Sequence, residues 1–439
     1  MKTFLSVCLA VLAFQSTIVY AAQWDLIFAG QLLAIPGEPV ANEQSVILKD
    51  GRVHSVEPGY IDPQSIDRSA SDTLEIHDLK DHFVMPGFID GHVHLTVYMA
   101  SNESMNWVRM SEADFAIRGA KYAKDTLLAG FTTVRDMGAF SGDSIYAIRD
   151  GINNGDIIGP RTYVAGHTIS INGGHGDITH SYKQSVADAI RSAGICDGVS
   201  ECRKVVREQI RRTADHIKLT ATAGVLSESA AGLEQQFFDD ELKAIIDTAH
   251  LMGVKVAAHA HGAQGINAAL RAGVDTIEHG TFLNQESIQL FVETGAYLSP
   301  TLSAGASMEP LVNDPNSFLT PIQREKSEMA LTRGKQYVRE AHNGGVNIAL
   351  STDAGVIEHG KNALEFELLV NWGGMTPMEA IKAGTINGAD NIGKLDELGS
   401  IEAGKWGDIV AVKANPLEDI AVLKNIDFVM KEGEVYLNR

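Results

Sequence analysis

Between residues 86 and 353 the chain repeats one local pattern. A short apolar run ends on or near a histidine, lysine or aspartate, and a helix-like run follows. The first is Pro86-Gly87-Phe88-Ile89-Asp90-Gly91-His92-Val93-His94. Lys218 lies in His216-Ile217-Lys218-Leu219-Thr220, and His259 in the run from Val254 to His261. His279 ends the run from Asp275, and Asp353 ends the run from Asn347. Alternating strand and helix periods call for parallel strands joined by crossover helices. The pattern predicts an α/β fold with a (β/α)8 barrel of the TIM type over residues 81–398. In such a barrel the carboxyl ends of all strands open onto one face, so these scattered residues would meet in space.

The helix-like runs are Glu112–Leu128, Ser200–Ala214, Asp239–Met252, Ile266–Ala272, Ser287–Thr294, Ile322–His342 and Pro377–Asn387. Acids at Asp239-Asp240-Glu241 suit a helix N-terminus, and Gly253 suits its end. Both chain ends read differently. Residues 22–80 hold the strand-like runs Asp25–Ala29, Ser45–Leu48, Arg52–Val56 and Thr73–His77. Residues 399–439 hold Asp408–Val412, Ile426–Lys431 and Glu434–Leu437. Lys49-Asp50-Gly51 and Glu432-Gly433 read as hairpin turns. The two ends are expected to form a small β-sandwich together.

Strand side chains alternate, so His92 and His94 face the same side. Two neutral imidazoles at a strand end make half of a metal site. An H-x-H pair alone could be coincidence; His259, His279 and Asp353 at matching strand ends favour the metal site.

The set H-x-H, Lys, His, His, Asp resembles the amidohydrolase superfamily, in particular its binuclear-metal members. The surrounding residues resemble the imidazolonepropionase-related dipeptidases and carboxypeptidases, a branch that includes prolidase-like enzymes. The matching stretches are 86–94, 130–136, 173–177, 216–224, 259–262, 278–280, 351–355 and 399–410. The resemblance implies two divalent metal ions. His92 and His94 would bind one with Asp353, and His259 and His279 the other. Two such ions can hold a hydroxide between them and clamp a carbonyl. A plain lysine would repel both; in the resembling enzymes it is carboxylated, and Lys218 is the matching position for N6-carboxylysine. Mixed nitrogen and oxygen ligation suits zinc, with manganese, cobalt and iron also compatible.

The resemblance further makes Asp353 a catalytic proton carrier. His175, in the Gly173–Asp177 loop, could polarise the scissile carbonyl or hold a substrate carboxylate. His261 shares a face with His259 and is a candidate substrate contact; preferring His259 as ligand rests on the family pattern. Tyr98 follows the H-x-H strand and is a further substrate-contact candidate. The implied activity is hydrolysis of the amide in a small dipeptide or N-acyl amino acid. A cyclic amide or imidazolone-type ring is the alternative substrate. A metal-containing solute-binding protein without turnover is the alternative outside enzymes, and the complete ligand set argues against it. Family members are often multimeric, so a homo-oligomer is compatible.

Lys2 and the apolar run Phe4–Phe14 precede the small-residue cleavage site Val19-Tyr20-Ala21. Residues 1–21 read as a signal peptide, which implies a periplasmic or secreted protein. The apolar run is too short for a stable membrane span. The formal charge is −20. Such acidity disfavours nucleic acid and anionic membrane surfaces as partners. Export would leave Cys196 and Cys202, six apart, in an oxidising compartment, where a short-loop disulfide is expected.

Overall fold

The computed structural model describes residues 21–100, 103–139, 143–180, 182–227 and 232–439. The expected signal peptide, but for Ala21, lies outside the described residues. Fifteen strands are described. They are β1 Gln23–Leu32, β2 Ala41–Lys49, β3 Arg52–Pro58, β4 Thr73–Pro86, β5 Phe88–Val93, β6 Phe131–Asp136, β7 Arg161–Val164 and β8 Ile217–Thr220. There follow β9 Val256–Gly262, β10 Thr276–Phe282, β11 Tyr297–Ser299, β12 Asn347–Ile348, β13 Ile409–Val412, β14 Phe428–Lys431 and β15 Glu434–Asn438.

Strands from both chain ends form one seven-stranded sheet, ordered β15-β14-β13-β4-β1-β2-β3. The expected two-sheet sandwich is therefore one continuous sheet. The reason is β4, which is 14 residues long. It pairs in parallel with β1 from Thr73 to Val84, and antiparallel with β13 from Phe83 to Pro86. The sheet curls until its hairpin turns meet. Gly407 N donates to Gly51 O at 2.8 Å, and Gly433 N donates to Gly407 O at 3.2 Å. Gly51 has φ +77°, and a Cβ there would stand 2.3 Å from the Glu432 carbonyl oxygen, so only glycine fits the junction. Ile27, Val46, Leu48, Ile409, Phe428 and Met430 share one buried cluster inside the curl.

The remaining eight strands are parallel and lie in two sheets, β5-β6-β7 and β8-β9-β10-β11-β12. No single closed ladder joins them, so the barrel expected from the sequence is present as two arcs. The arcs touch at both seams. Ile169 bridges Leu219, and Val93 bridges Ala354. At the second seam Asp353 N donates to His92 O at 2.8 Å, and His94 N to Ala354 O at 2.7 Å. Phe88, Phe131, Val164, Leu219, Ala258 and Ile277 belong to a large core that also takes Phe83, Val410 and Val429 from the terminal sheet. Arg161, at the start of β7, ties the two parts together through Asp408 Oδ2 at 2.7 Å.

Helices cover the outside of the arcs. The expected run Pro377–Asn387 is two helices, Pro377–Ala383 and Ile386–Asn391. Between them the Ala383 and Gly384 carbonyls accept from Leu350 N and Ile89 N. Backbone bonds that would have continued one helix hold the strands instead.

Candidate active site

The strand ends bring the expected residues to one buried pocket. His92, His94, Lys218, His259, His261, His279, Asp353 and His175 all line a cavity of about 670 Å³. His92 sits at the end of β5 and His94 just past it, with their Nε2 atoms 3.4 Å apart. Asp353 Oδ1 lies 3.5 Å from His92 Nε2 and 3.4 Å from His94 Nε2. Ligand atoms of His92, His279 and Asp353 lie within 4.8 Å of one another, and so do those of His259, His261 and His279. His261 thus stands among the candidate ligands as well as facing the pocket.

Tethers at Nδ1 fix the imidazole orientations. His92 Nδ1 donates to Glu278 Oε2 at 2.8 Å, His94 Nδ1 to Gly138 O at 2.9 Å, and His279 Nδ1 to Thr301 Oγ1 at 2.7 Å. Each tether leaves the Nε2 lone pair free to face the pocket. Burial holds His92, His259 and His279 well below the ordinary histidine range, so they are neutral ligands. It brings His175 and His261 down to about 3.

Lys218 is 3% exposed. Burial pulls its ammonium down to about 8 against the opposing pull of Glu278 and Asp353. No hydrogen bond or close ion pair engages it among the described residues. Burial pushes Asp353 up to about 6, opposed by Lys218. His279 and Asp353 have φ +71° and +59°, and Thr301 has φ +53°. Such backbone costs about 1–3 kcal/mol per residue and clusters where side chains must be aimed.

His175 comes from the loop after β7. Its ring packs 4.2 Å from His259, centroid to centroid, and its Nδ1 is buried without a hydrogen-bond partner. Gly224 makes the room: a Cβ there would stand 2.2 Å from the His175 ring. Lys326 Nζ donates to Gly224 O at 2.9 Å and pins that stretch. Cys196 and Cys202 are disulfide-bonded. Cys196 N donates to Ser170 O at 2.9 Å, at the base of the His175 loop.

Tyr98 corrects the sequence reading. It is absent from the described pocket wall and packs on Tyr122, with centroids 6.4 Å apart. The strand ends at Val93 and a turn follows, so nearness to the H-x-H pair in sequence does not by itself place Tyr98 on the pocket wall. His167 bonds Ser192 Oγ at 3.1 Å, while His180 lines the pocket.

The residues that sequence reasoning missed stand behind the ligands. Glu278 joins His92 to Arg135, whose Nη2 lies 3.0 Å from Glu278 Oε1. Asp136 accepts from Leu95 N at 2.7 Å and Gly138 N at 3.0 Å. Asp90 accepts from His92 N, Thr352 N, Thr352 Oγ1 and Asn362 Nδ2, and so joins β5 to the Asp353 segment. Their signal was a charged residue inside an otherwise apolar strand. Such a residue is expensive to bury unless it holds something in place.

The donor set fits divalent metal ions on chemical grounds. Neutral imidazoles and a carboxylate converge with free lone pairs, and a neighbouring buried lysine has no anion pairing with it.

A model of the amidohydrolase family matches residues 83–436. Ochratoxinase from Aspergillus niger is 32% identical, with 94% of this chain and 87% of that protein covered. A solved Xaa-Pro dipeptidase with methionine bound in its active site aligns with a TM-score of 0.87 and 37% identity, covering 94% of this chain and 100% of that one. A solved prolidase complexed with N-methylphosphonate-L-proline aligns with a TM-score of 0.82 and 27% identity, covering 95% and 100%.

Proposed function

From the premise that the chain belongs to the amidohydrolase family, a hydrolase family whose relatives here act on amide bonds, we propose an exported, binuclear metallohydrolase. It releases the C-terminal amino acid from dipeptides or N-acyl amino acids. We read the two parallel arcs as one barrel over residues 81–398, flanked by a terminal unit from 22–80 and 399–439. The bonds across both seams support that reading.

One observation carries the proposal: His92, His94, Lys218, His259, His279 and Asp353 converge in a single buried pocket. His92, His94 and Asp353 would hold one ion, and His259 and His279 the other, with His261 close enough to join them. Zinc suits this mixed set. When bound, the ions supply Lewis acidity and make water a nucleophile at neutral pH. The neutral Lys218 amine adds to carbon dioxide, forming an N–C bond and losing a proton. The product is a carbamate with two oxygens where an ammonium would repel cations.

Asp353 takes a proton on its carboxylate as water adds to the amide carbon. It gives that proton to the amine nitrogen as the C–N bond breaks. The unpartnered His175 Nδ1 can face the scissile carbonyl or the substrate carboxylate. Met99, Met105, Met308, Phe318 and Trp372 give the rest of the pocket an apolar wall suited to an apolar acyl group.

The test combines metal analysis with a panel of dipeptides, N-acyl amino acids, their C-terminal amides and cyclic amides. Free acids should be cleaved far faster than amides, with two metals per chain. Equal rates for acid and amide would remove the carboxypeptidase-like reading. Turnover confined to cyclic amides would replace it with ring hydrolysis. No turnover by metal-loaded protein would leave a binding protein.

A further inference from the structure

A second group of ligand-type side chains lies in the terminal sheet. Asp25 on β1 is opposite Glu75 on β4, and His77 on β4 is opposite Ile27. All three therefore point to the same face of the sheet. Their ligand atoms lie within 4.8 Å of one another. Asp25 is 1% exposed and His77 is 5% exposed, whereas Glu75 is at the surface. His77 Nε2 and Asp25 Oδ1 are 3.0 Å apart. Asp25 Oδ2 is buried and has no hydrogen-bond partner. It points toward the Glu432-Gly433 turn, 3.7 Å from where a Cβ on Gly433 would stand. Among the described residues no lysine or arginine pairs with Asp25 or Glu75.

An orphaned carboxylate oxygen in the interior is costly, and a second carboxylate beside it adds repulsion. A divalent cation bound by both Asp25 oxygens would remove both costs. The imidazole selects among cations: calcium and magnesium prefer all-oxygen sites, whereas zinc takes nitrogen and oxygen together. Two ligands bonded to tetrahedral zinc stand roughly 3.3 Å apart. The His77–Asp25 pair would open by only a few tenths of an ångström.

We propose that Asp25, His77 and Glu75 form a structural zinc site, with water completing the tetrahedron, that staples β1 to β4 beneath the meeting hairpin turns. Zinc replaces the proton shared by His77 Nε2 and Asp25, and that proton passes to solvent. The site is separate from the hydrolytic centre and does not depend on its assignment.

The experiment uses the full chain, stripped by a chelator and re-equilibrated with zinc just sufficient to saturate the wild type. Zinc per chain is read by mass spectrometry and thermal stability by scanning calorimetry. Wild type should hold one zinc more than Glu75→Gln or Asp25→Asn, and its Tm should rise with that last equivalent. Both variants should keep the hydrolytic rate. Glu75 is exposed, so its variant folds even if Asp25→Asn does not. Equal zinc content in wild type and Glu75→Gln, with the same Tm response to zinc, would overturn the proposal.

Discussion

Lys218 is the position at which the proposed carbamate would stand. It is buried, unpaired, and ringed by histidines that offer lone pairs to cations. A guanidinium cannot form a carbamate and stays charged. Lys218→Arg should therefore lose metal and lower turnover by several orders of magnitude, with the circular dichroism spectrum unchanged. Two metals per chain and near-native turnover in that variant would make Lys218 an ordinary lysine. Glu278 acts one step back. Its carboxylate aims His92 and neutralises Arg135. Glu278→Gln keeps the shape and removes the charge. Metal affinity measured by competition with a chelator should fall about 10–100-fold. An unchanged affinity would mean that packing alone orients His92.

The loop that carries His175 is held at its base by Cys196 N on Ser170 O, and the Cys196–Cys202 bond fixes that base to the helix Val199–Arg211. Replacing both cysteines by serine should cost about 1–3 kcal/mol in urea unfolding, since the closed loop is short. It should also raise KM more than it lowers kcat, because the same loop carries His175, a proposed substrate contact. Non-reducing peptide maps should recover the two cysteines linked. Outside regular structure the sequence stops being legible. Strands carrying ligands were readable because strong period-two or apolar runs end on an unusual residue, as in Phe88–His94 and Asp275–His279. Where a ligand lies beyond regular structure, the rule weakens. β12 ends at Ile348, and Asp353 is placed by Asp90 and the Val93–Ala354 bridge. Tyr98 lies past a turn and misses the pocket. The single terminal sheet was hidden because β4 looks like a short strand followed by a polar stretch, and only tertiary pairing with β13 extends it to Pro86.

At the scale of the whole chain, the proposed removal of a signal peptide is testable where the described residues begin. Among the described residues no helix is long and apolar enough to cross a membrane. Strand β1 begins at Gln23, and Ala22 N donates to Asp72 Oδ1 at 3.0 Å. Asp72 also accepts from Ser69 N and Trp24 Nε1. These bonds, the one from Ala22 N first, hold its carboxyl down to about 2, so it is an anion at working pH. Cleavage after Ala21 would turn the Ala22 amide into an ammonium beside that anion, and charge-assisted hydrogen bonds are stronger than neutral ones. On the proposed export, cleavage after Ala21 would give the intact mass of a chain starting at Ala22. A terminus at Gln23 would instead place the new ammonium 2.9 Å from Asp50 Oδ1, and the mass distinguishes the two. A chain starting at Ala22 should melt higher than the same chain acetylated at Ala22, where no ammonium exists. That difference should shrink in high salt and vanish in Asp72→Asn, which removes the anion but keeps a side chain of the same shape. Equal melting temperatures for the free and acetylated termini at low salt would show that Asp72 merely caps the strand and that maturation adds nothing to the fold.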